Sequence, residues 1–334
     1  MSQPDSPLPP SGPQVFSKPG VATPSMGGHT RLNSRARQTL ALLSMTLPGV
    51  LLLLIFSYLP LTGLIIAFKN YRAADGIFGS AWAGLKNFEF LFASGAAWRI
   101  TLNTLWLNGL FIITTLVFSL TLALLINEVR SRSRALSSFY QTALFFPFFL
   151  SYVIISYFTY ALLNTDQGLL NGIFKSLGLE PVRWYAEPSR WPLILVLVNL
   201  WKNVGFSVVI YLSGMLAIDP EYYEAAALDG ASKAQQVRFI TLPMLSPLIT
   251  ITVLLAIGRI FFTDFGLFYF ITRDTSLLYP STDVIDTYVF RALRQLGDFG
   301  MAGAAGLYQS VIGFALVMFS NWIVKRRDPE RALF

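Results

Sequence analysis

The side chains able to do chemistry are few, and several sit where charge is expensive. Lys202, Arg259 and Asp264 lie within long apolar runs. An ionised group at a bilayer centre costs about 2.5–3.5 kcal/mol on insertion scales, so each is expected to face protein or a water-filled cavity. Asn199, Trp201, Asn203 and Gly205 surround Lys202, and Thr263 precedes Asp264. A guanidinium such as Arg259 can hold a carboxylate through two parallel hydrogen bonds, and Trp201 offers a flat face for a sugar ring. The chemistry of this set is binding, with Arg259 and Lys202 as candidate contacts to an anionic group. A structural reading stands beside it, in which Arg259 or Lys202 pairs with Asp264. Arg259 and Asp264 are five positions apart, about 140° around a helix, so such a pair would be made between helices.

Catalysis finds little to work with. There is no cysteine and one histidine, His29, in a Pro-rich stretch, which removes thiol nucleophiles, disulfides and zinc–thiolate sites. No Gly-x-x-x-x-Gly-Lys phosphate loop occurs, since no Gly is followed by Lys anywhere. Asp283, Asp286 and Asp298 are spaced without a catalytic pattern. The chain is expected to be no enzyme, to hold no cofactor or metal, and to leave any ATP hydrolysis to a partner.

The elements that must position these residues are membrane spans. Of 334 residues, 54% are hydrophobic and only 13% charged, with a mean hydropathy of +0.55; a soluble domain carries about a quarter charged residues. Six apolar runs, approximately Leu40 to Phe68, Leu102 to Asn127, Tyr140 to Leu163, Pro192 to Leu216, Leu245 to Phe270 and Ala302 to Val324, each approach or exceed the ~20 residues that cross a bilayer as a helix. The expectation is an all-α polytopic protein in contact with lipid. Residues 1–39 form a Pro-, Ser- and Gly-rich basic tail expected to be disordered, 40–325 a membrane domain, and 326–334 a basic tail. The net charge of +7 is scattered between apolar runs and does not point to nucleic acid.

Basic clusters set the orientation. Arg31, Arg35 and Arg37 precede the first run, Arg130, Arg132 and Arg134 follow the second, and Lys325, Arg326, Arg327 and Arg331 follow the sixth. All fall on one side, which is read as cytoplasmic, with both termini there. The loop Ile218 to Leu242, on the same side, is written as two short helices. Asp219 is a good N-cap ahead of Pro220, Gly230 is a stop, and Ser232 with Gln235 is a capping box.

That loop reads Glu224-Ala225-Ala226, three residues, Gly230, nine residues, Ile240, one residue, Leu242-Pro243. The spacing resembles the EAA signature of the permeases of binding-protein-dependent ABC importers. Gly84 to Phe88, Asn103-Thr104 and Gly168 to Asn171 resemble loop and span-entry segments of the same family, and Trp201 and Gly205 resemble its carbohydrate branch, which includes the maltose permeases. The similarity covers about Leu40 to Val324, and the types most like it are polysaccharide-class permeases, including the larger permease subunit of bacterial alginate importers.

The resemblance implies a type I importer permease fold in a bacterial inner membrane. It implies that Glu224, Ala225, Ala226, Asp229, Gly230, Ala231 and Pro243 form the coupling element, docking in a cleft on a cytoplasmic ATP-binding subunit. Ala225 and Ala226 would allow close approach, Glu224 would make a charged contact at the rim, and Gly230 would permit the turn. The implied partners are two ATP-binding subunits carrying ATP and magnesium, a second and different permease chain, a solute-binding protein and a saccharide. Lys202, Arg259, Thr263, Asn203, Gly205 and Trp201 fall in the spans that line the family's pathway, and Arg259 would suit a uronate-containing sugar. The run Phe145 to Phe149 is expected to pack rather than carry sugar. An ion-coupled secondary transporter is the competing class; it needs a carboxylate relay, for which Asp264 stands alone.

Overall fold

The computed structural model describes residues 34–89 and 95–327. The Pro-rich tail up to residue 33 and the end of the expected basic tail, residues 328–334, lie outside the described residues. Contacts divide the chain into two units, residues 1–59 and 60–334.

In the first unit, α1 (Ser34–Leu53) is followed by one π-helical turn, Leu54–Tyr58. That wider turn precedes Pro60, which has no N–H to donate back into a regular helix. Leu42, Met45, Leu53 and Phe56 are all exposed, as expected of a helix whose solvent is lipid or a partner's spans.

The second unit holds, beside other short helices and turns, α2 (Gly95–Arg132), α3 (Arg134–Phe145), α4 (Tyr152–Leu163), α5 (Leu169–Ser176), α6 (Trp191–Leu216), α7 (Pro220–Leu228), α8 (Lys233–Gln236), α9 (Leu242–Gly258), α10 (Ile285–Arg291) and α11 (Phe299–Arg327). A two-stranded antiparallel pair sets Lys69 opposite Trp82 and Asn70 opposite Ala81. Across the described residues, five helices are long and apolar enough to cross a membrane, and a bent pair brings the number to six. The expected six-span all-α architecture therefore forms, with two departures.

First, the third span is not straight. Arg134–Phe149 and Tyr152–Leu163 meet at 99°. Pro147 tightens the chain into a 3-10 turn over Phe146–Phe149, and Ser151 then caps α4 by accepting from the Ile154 N–H at 3.3 Å. Second, the fifth span is Lys233–Gly258 rather than Leu245 to Phe270. Helix α9 stops at Gly258, the chain runs irregularly past Arg259, and helical turns resume at Phe265.

Helices α2 and α6 pack along each other through Ala123, Val204, Val208 and Leu212, all buried. Helix α6 meets α3 tightly at Gly205, where a Cβ would lie 2.0 Å from the Leu144 carbonyl oxygen. Phe145, Phe148 and Phe206 stack beside it, the last two with centroids 4.9 Å apart. The aromatic run thus packs, as expected.

Candidate functional site: a coupling loop and a membrane cavity

The loop Ile218 to Leu242, the expected coupling element, is built almost entirely by local rules. Asp219 Oδ1 accepts from the Glu221 N–H at 3.0 Å and starts α7 with Pro220 as its first residue. The helix ends in a Schellman closure: the Ala231 N–H donates to the Ala226 carbonyl (2.8 Å) and the Gly230 N–H to that of Ala227 (3.1 Å). This closure needs a left-handed residue past the helix end, and Gly230 sits at φ +80°. Asp229 occupies the C-cap. Ser232 and Gln235 form the capping box that opens α8, with Ser232 N–H to Gln235 Oε1 at 2.7 Å. From α8 the chain passes through a π turn, Val237–Thr241, straight into α9, where Pro243 is the second residue. The second short helix is therefore the head of the fifth span, and the Tyr223 hydroxyl ties α7 to it by a 3.0 Å bond to Thr241.

Helix α7 has two faces. Tyr222, Ala225 and Leu228 are three apart and exposed, Leu228 at 90%. Pro220, Tyr223 and Glu224 line a cavity of about 1040 Å³ shared with the end of α2. Sequence reasoning missed Tyr222 and Leu228; the signal was an apolar residue at helical spacing beside Ala225 in an otherwise polar loop.

The second feature lies within the membrane helices. A cavity of about 660 Å³ is lined by Asn108, Asn199, Asn203, Arg259, Thr263 and Asp264, with Phe111, Phe206, Phe262 and Phe265 among its apolar walls. Three of the six expected pathway residues, Asn203, Arg259 and Thr263, are brought together here. The Arg259 side chain lines the cavity, exposed, and its guanidinium makes no hydrogen bond or ion pair with any described residue. Asp264 is not its partner: Oδ1 of Asp264 accepts from the Gly266 N–H at 3.1 Å, capping the turn that resumes at Phe265. The supposed 140° separation does not apply, because no helix joins the two residues.

The irregular stretch after Gly258 survives because neighbours satisfy its backbone, as broken spans require. Asn108 Nδ2 donates to the Ile260 carbonyl (2.9 Å), Gln309 Nε2 to that of Phe261 (2.8 Å), and Asp286 Oδ2 accepts from the Thr263 N–H (2.8 Å) and hydroxyl. Asn108 and Gln309 had no role in the sequence reading, and Asp286 entered it only as an acid without a catalytic pattern. For the two amides the available signal was the cost of a polar group inside a span; for Asp286 there was none.

Lys202, Gly205 and Trp201 lie elsewhere. The Lys202 ammonium is buried and donates to the carbonyls of Phe148 (2.9 Å) and Leu150 (2.6 Å), over the ring of Tyr152. It thus holds the bend in the third span, where Pro147 and the turn free these carbonyls. Asp264 contributes a compensating negative charge. Gly205 is a packing contact, and Trp201 is 46% exposed and outside the cavity wall.

Outside the candidate spans, α10 is clamped. Arg291 donates to Asp274 (3.1 Å) and Asp283 (2.5 Å) and lies 4.1 Å over the Tyr279 ring. Burial works against its charge, but the hydrogen bond and attraction of Asp283 outweigh it and raise the Arg291 pKa. Burial also pushes the Tyr279 hydroxyl up to about 12, so it stays a donor to Asp274 at 3.0 Å.

Comparison with known proteins agrees with this geometry. Residues 115–329 match the family model described as binding-protein-dependent transport system inner membrane component. The chain belongs to that family. This permease is 34% identical over 286 residues, 86% of its length and 88% of the relative's, to the polygalacturonan/rhamnogalacturonan transport system permease protein YteP of Bacillus subtilis (strain 168). It is 29% identical over 276 residues (82% and 88%) to the trehalose/maltose transport system permease protein MalF of Thermococcus litoralis. Among solved structures, it superimposes with a TM-score of 0.79 and 32% identity on a chain of a bacterial alginate ABC transporter, crystallised in complex with alginate pentasaccharide-bound periplasmic protein, covering 89% of this chain and 98% of that one. The permease is thus an ABC transporter membrane subunit, and the ion-coupled reading is set aside.

Proposed function

We propose that this permease takes up an acidic oligo- or polysaccharide, handed over by a solute-binding protein on the far side of the inner membrane. The coupling loop, together with both termini, faces the cytoplasm. There the exposed face of α7, Tyr222, Ala225 and Leu228 with Ala226 behind them, docks on an ATP-binding subunit. Glu224 borders that face, Asp229, Gly230 and Ala231 hold its turn, and Pro243 passes its motion into the fifth span. Two such subunits supply ATP and magnesium chemistry, and a second, different permease chain completes the pathway.

The observation that carries the cargo assignment is Arg259: a guanidinium without a partner among the described residues, in a cavity whose other polar walls are amides, Thr263 and Asp264. Amides and aromatic edges suit sugar hydroxyls and ring faces, and an open guanidinium suits a carboxylate. The polysaccharide relatives support the same class. Replacing Arg259 with Ala tests it in reconstituted vesicles. Uptake of a uronate oligosaccharide should fall about tenfold or more, on the scale of a lost charge-assisted pair, with a neutral oligosaccharide much less affected. Equal loss on both would refute the assignment.

A further inference from the structure

The cavity behind α7 has a make-up that docking of an ATPase does not use. Its upper wall is apolar, with Leu124, Leu125 and Leu216 from the ends of α2 and α6, and Leu125 and Leu216 are about half exposed. Its lower wall carries Arg130, Arg134 and Lys233 against Glu128 and Glu224, leaving one net positive charge. Glu128 is drawn to Lys233 at 3.7 Å and to Arg132 at 4.0 Å. Arg130, half-buried, and Arg134 make no ion pair with any described residue. The cavity lies where two candidate spans end, at Arg132 and Leu216, which is the level of lipid headgroups.

We infer that this cavity binds one anionic glycerophospholipid, its phosphodiester held by Arg130 and Arg134 and an acyl chain laid against Leu124, Leu125 and Leu216. Basic pockets between spans at the cytoplasmic surface are suited to such headgroups, and the single net charge matches a phosphodiester monoanion. The apolar wall commits the site to a lipid rather than a free anion. Because Tyr223 and Glu224 of α7 share the wall, the lipid bridges α2 to the coupling helix, and its presence sets how firmly that helix is held.

The test uses the complete transporter in vesicles of phosphatidylcholine with or without phosphatidylglycerol. Lipid retained after extraction is read by native mass spectrometry, and ATP hydrolysis is measured in the same vesicles. Wild type should retain one phosphatidylglycerol and hydrolyse ATP faster when it is present. Arg130→Gln with Arg134→Gln should lower retention ~10-fold or more, since each cation near an anionic surface contributes a several-fold factor, and should abolish the stimulation. Arg130→Lys with Arg134→Lys controls for assembly and should retain the lipid. Arg132→Ala removes a charge outside the cavity wall and should behave as wild type. Unchanged retention in the double Gln variant, equal loss in Arg132→Ala, or displacement of the lipid by inorganic phosphate would each overturn the site.

Discussion

The loop Ile218 to Leu242 and the membrane cavity are the two candidate functional surfaces, and they are built in opposite ways. In the loop each turn is fixed by the residues that make it: Asp219 starts α7, Gly230 ends it, and Ser232 with Gln235 starts α8. Around the cavity the backbone is held mostly by side chains distant in sequence. The chain beyond Gly258 is held by Asn108, Gln309 and Asp286, with Asp264 capping its own turn, and the bend near Pro147, outside the cavity wall, is held by Lys202. The loop is encoded locally. The backbone around the cavity is held largely from elsewhere, and of its holders Asn108 also lines the cavity.

The contrast can be broken by exchanging the two kinds of residue. The largest effect should come from Gly205→Ala, because a Cβ there meets the Leu144 backbone at 2.0 Å. Overpacking of this severity lies at or beyond the upper end of the about 1–3 kcal/mol usual range. The expected outcome is loss of monodisperse protein after extraction; a stable, transporting Gly205→Ala chain would show that α6 and α3 do not meet there.

Next is Lys202→Met, which leaves the Phe148 and Leu150 carbonyls unsatisfied at about 1–3 kcal/mol for each orphaned group. Thermal unfolding should shift down while the ratio of acidic to neutral saccharide uptake holds. A changed ratio with unchanged unfolding would return Lys202 to the substrate.

Smaller still is Gly230→Val. Nothing lies within 4 Å of a Cβ there, so the penalty is the left-handed backbone at φ +80°, about 1–2 kcal/mol. Transport per ATP hydrolysed should fall. Gly230→Asn should cost least, since Asn tolerates this conformation, and should restore most of the coupling ratio.

Local encoding explains what could be read from the sequence. Caps, the capping box, the glycine stop and the motif spacing are short-range, so the loop emerged residue by residue, as did six spans from apolar length. Pro147 itself marks a place where a kink is tolerated in a span, but apolar length reveals neither the angle of that bend nor the break after Gly258. Their local signs were present, Ser151 after Pro147 and Asp264 after Gly258, but a cap inside an apolar run is decisive only when a distant partner such as Lys202 or Asp286 takes up the freed groups. For the same reason the pathway set divided: Arg259, Thr263 and Asn203 share the cavity, whereas Lys202, Gly205 and Trp201 were grouped with them only by sequence neighbourhood. The residues of Gly84 to Phe88, Asn103-Thr104 and Gly168 to Asn171 also have structural work. Asn87 bonds the Ala67 and Lys69 carbonyls, Asn103 that of Asp283, and buried Asn171 those of Thr165 and Val182.

On the proposed function, an ATP-binding subunit grips this permease at the exposed face of α7. The chain has no cysteine, so one introduced thiol is unique in it. With Leu228→Cys and, separately, Tyr223→Cys in the complete transporter, a short thiol-directed cross-linker should join Cys-bearing position 228, but not 223, to an ATP-binding subunit, with a yield that changes when ATP is added. Cross-linking at 223 and none at 228 in an intact, transporting complex would contradict it.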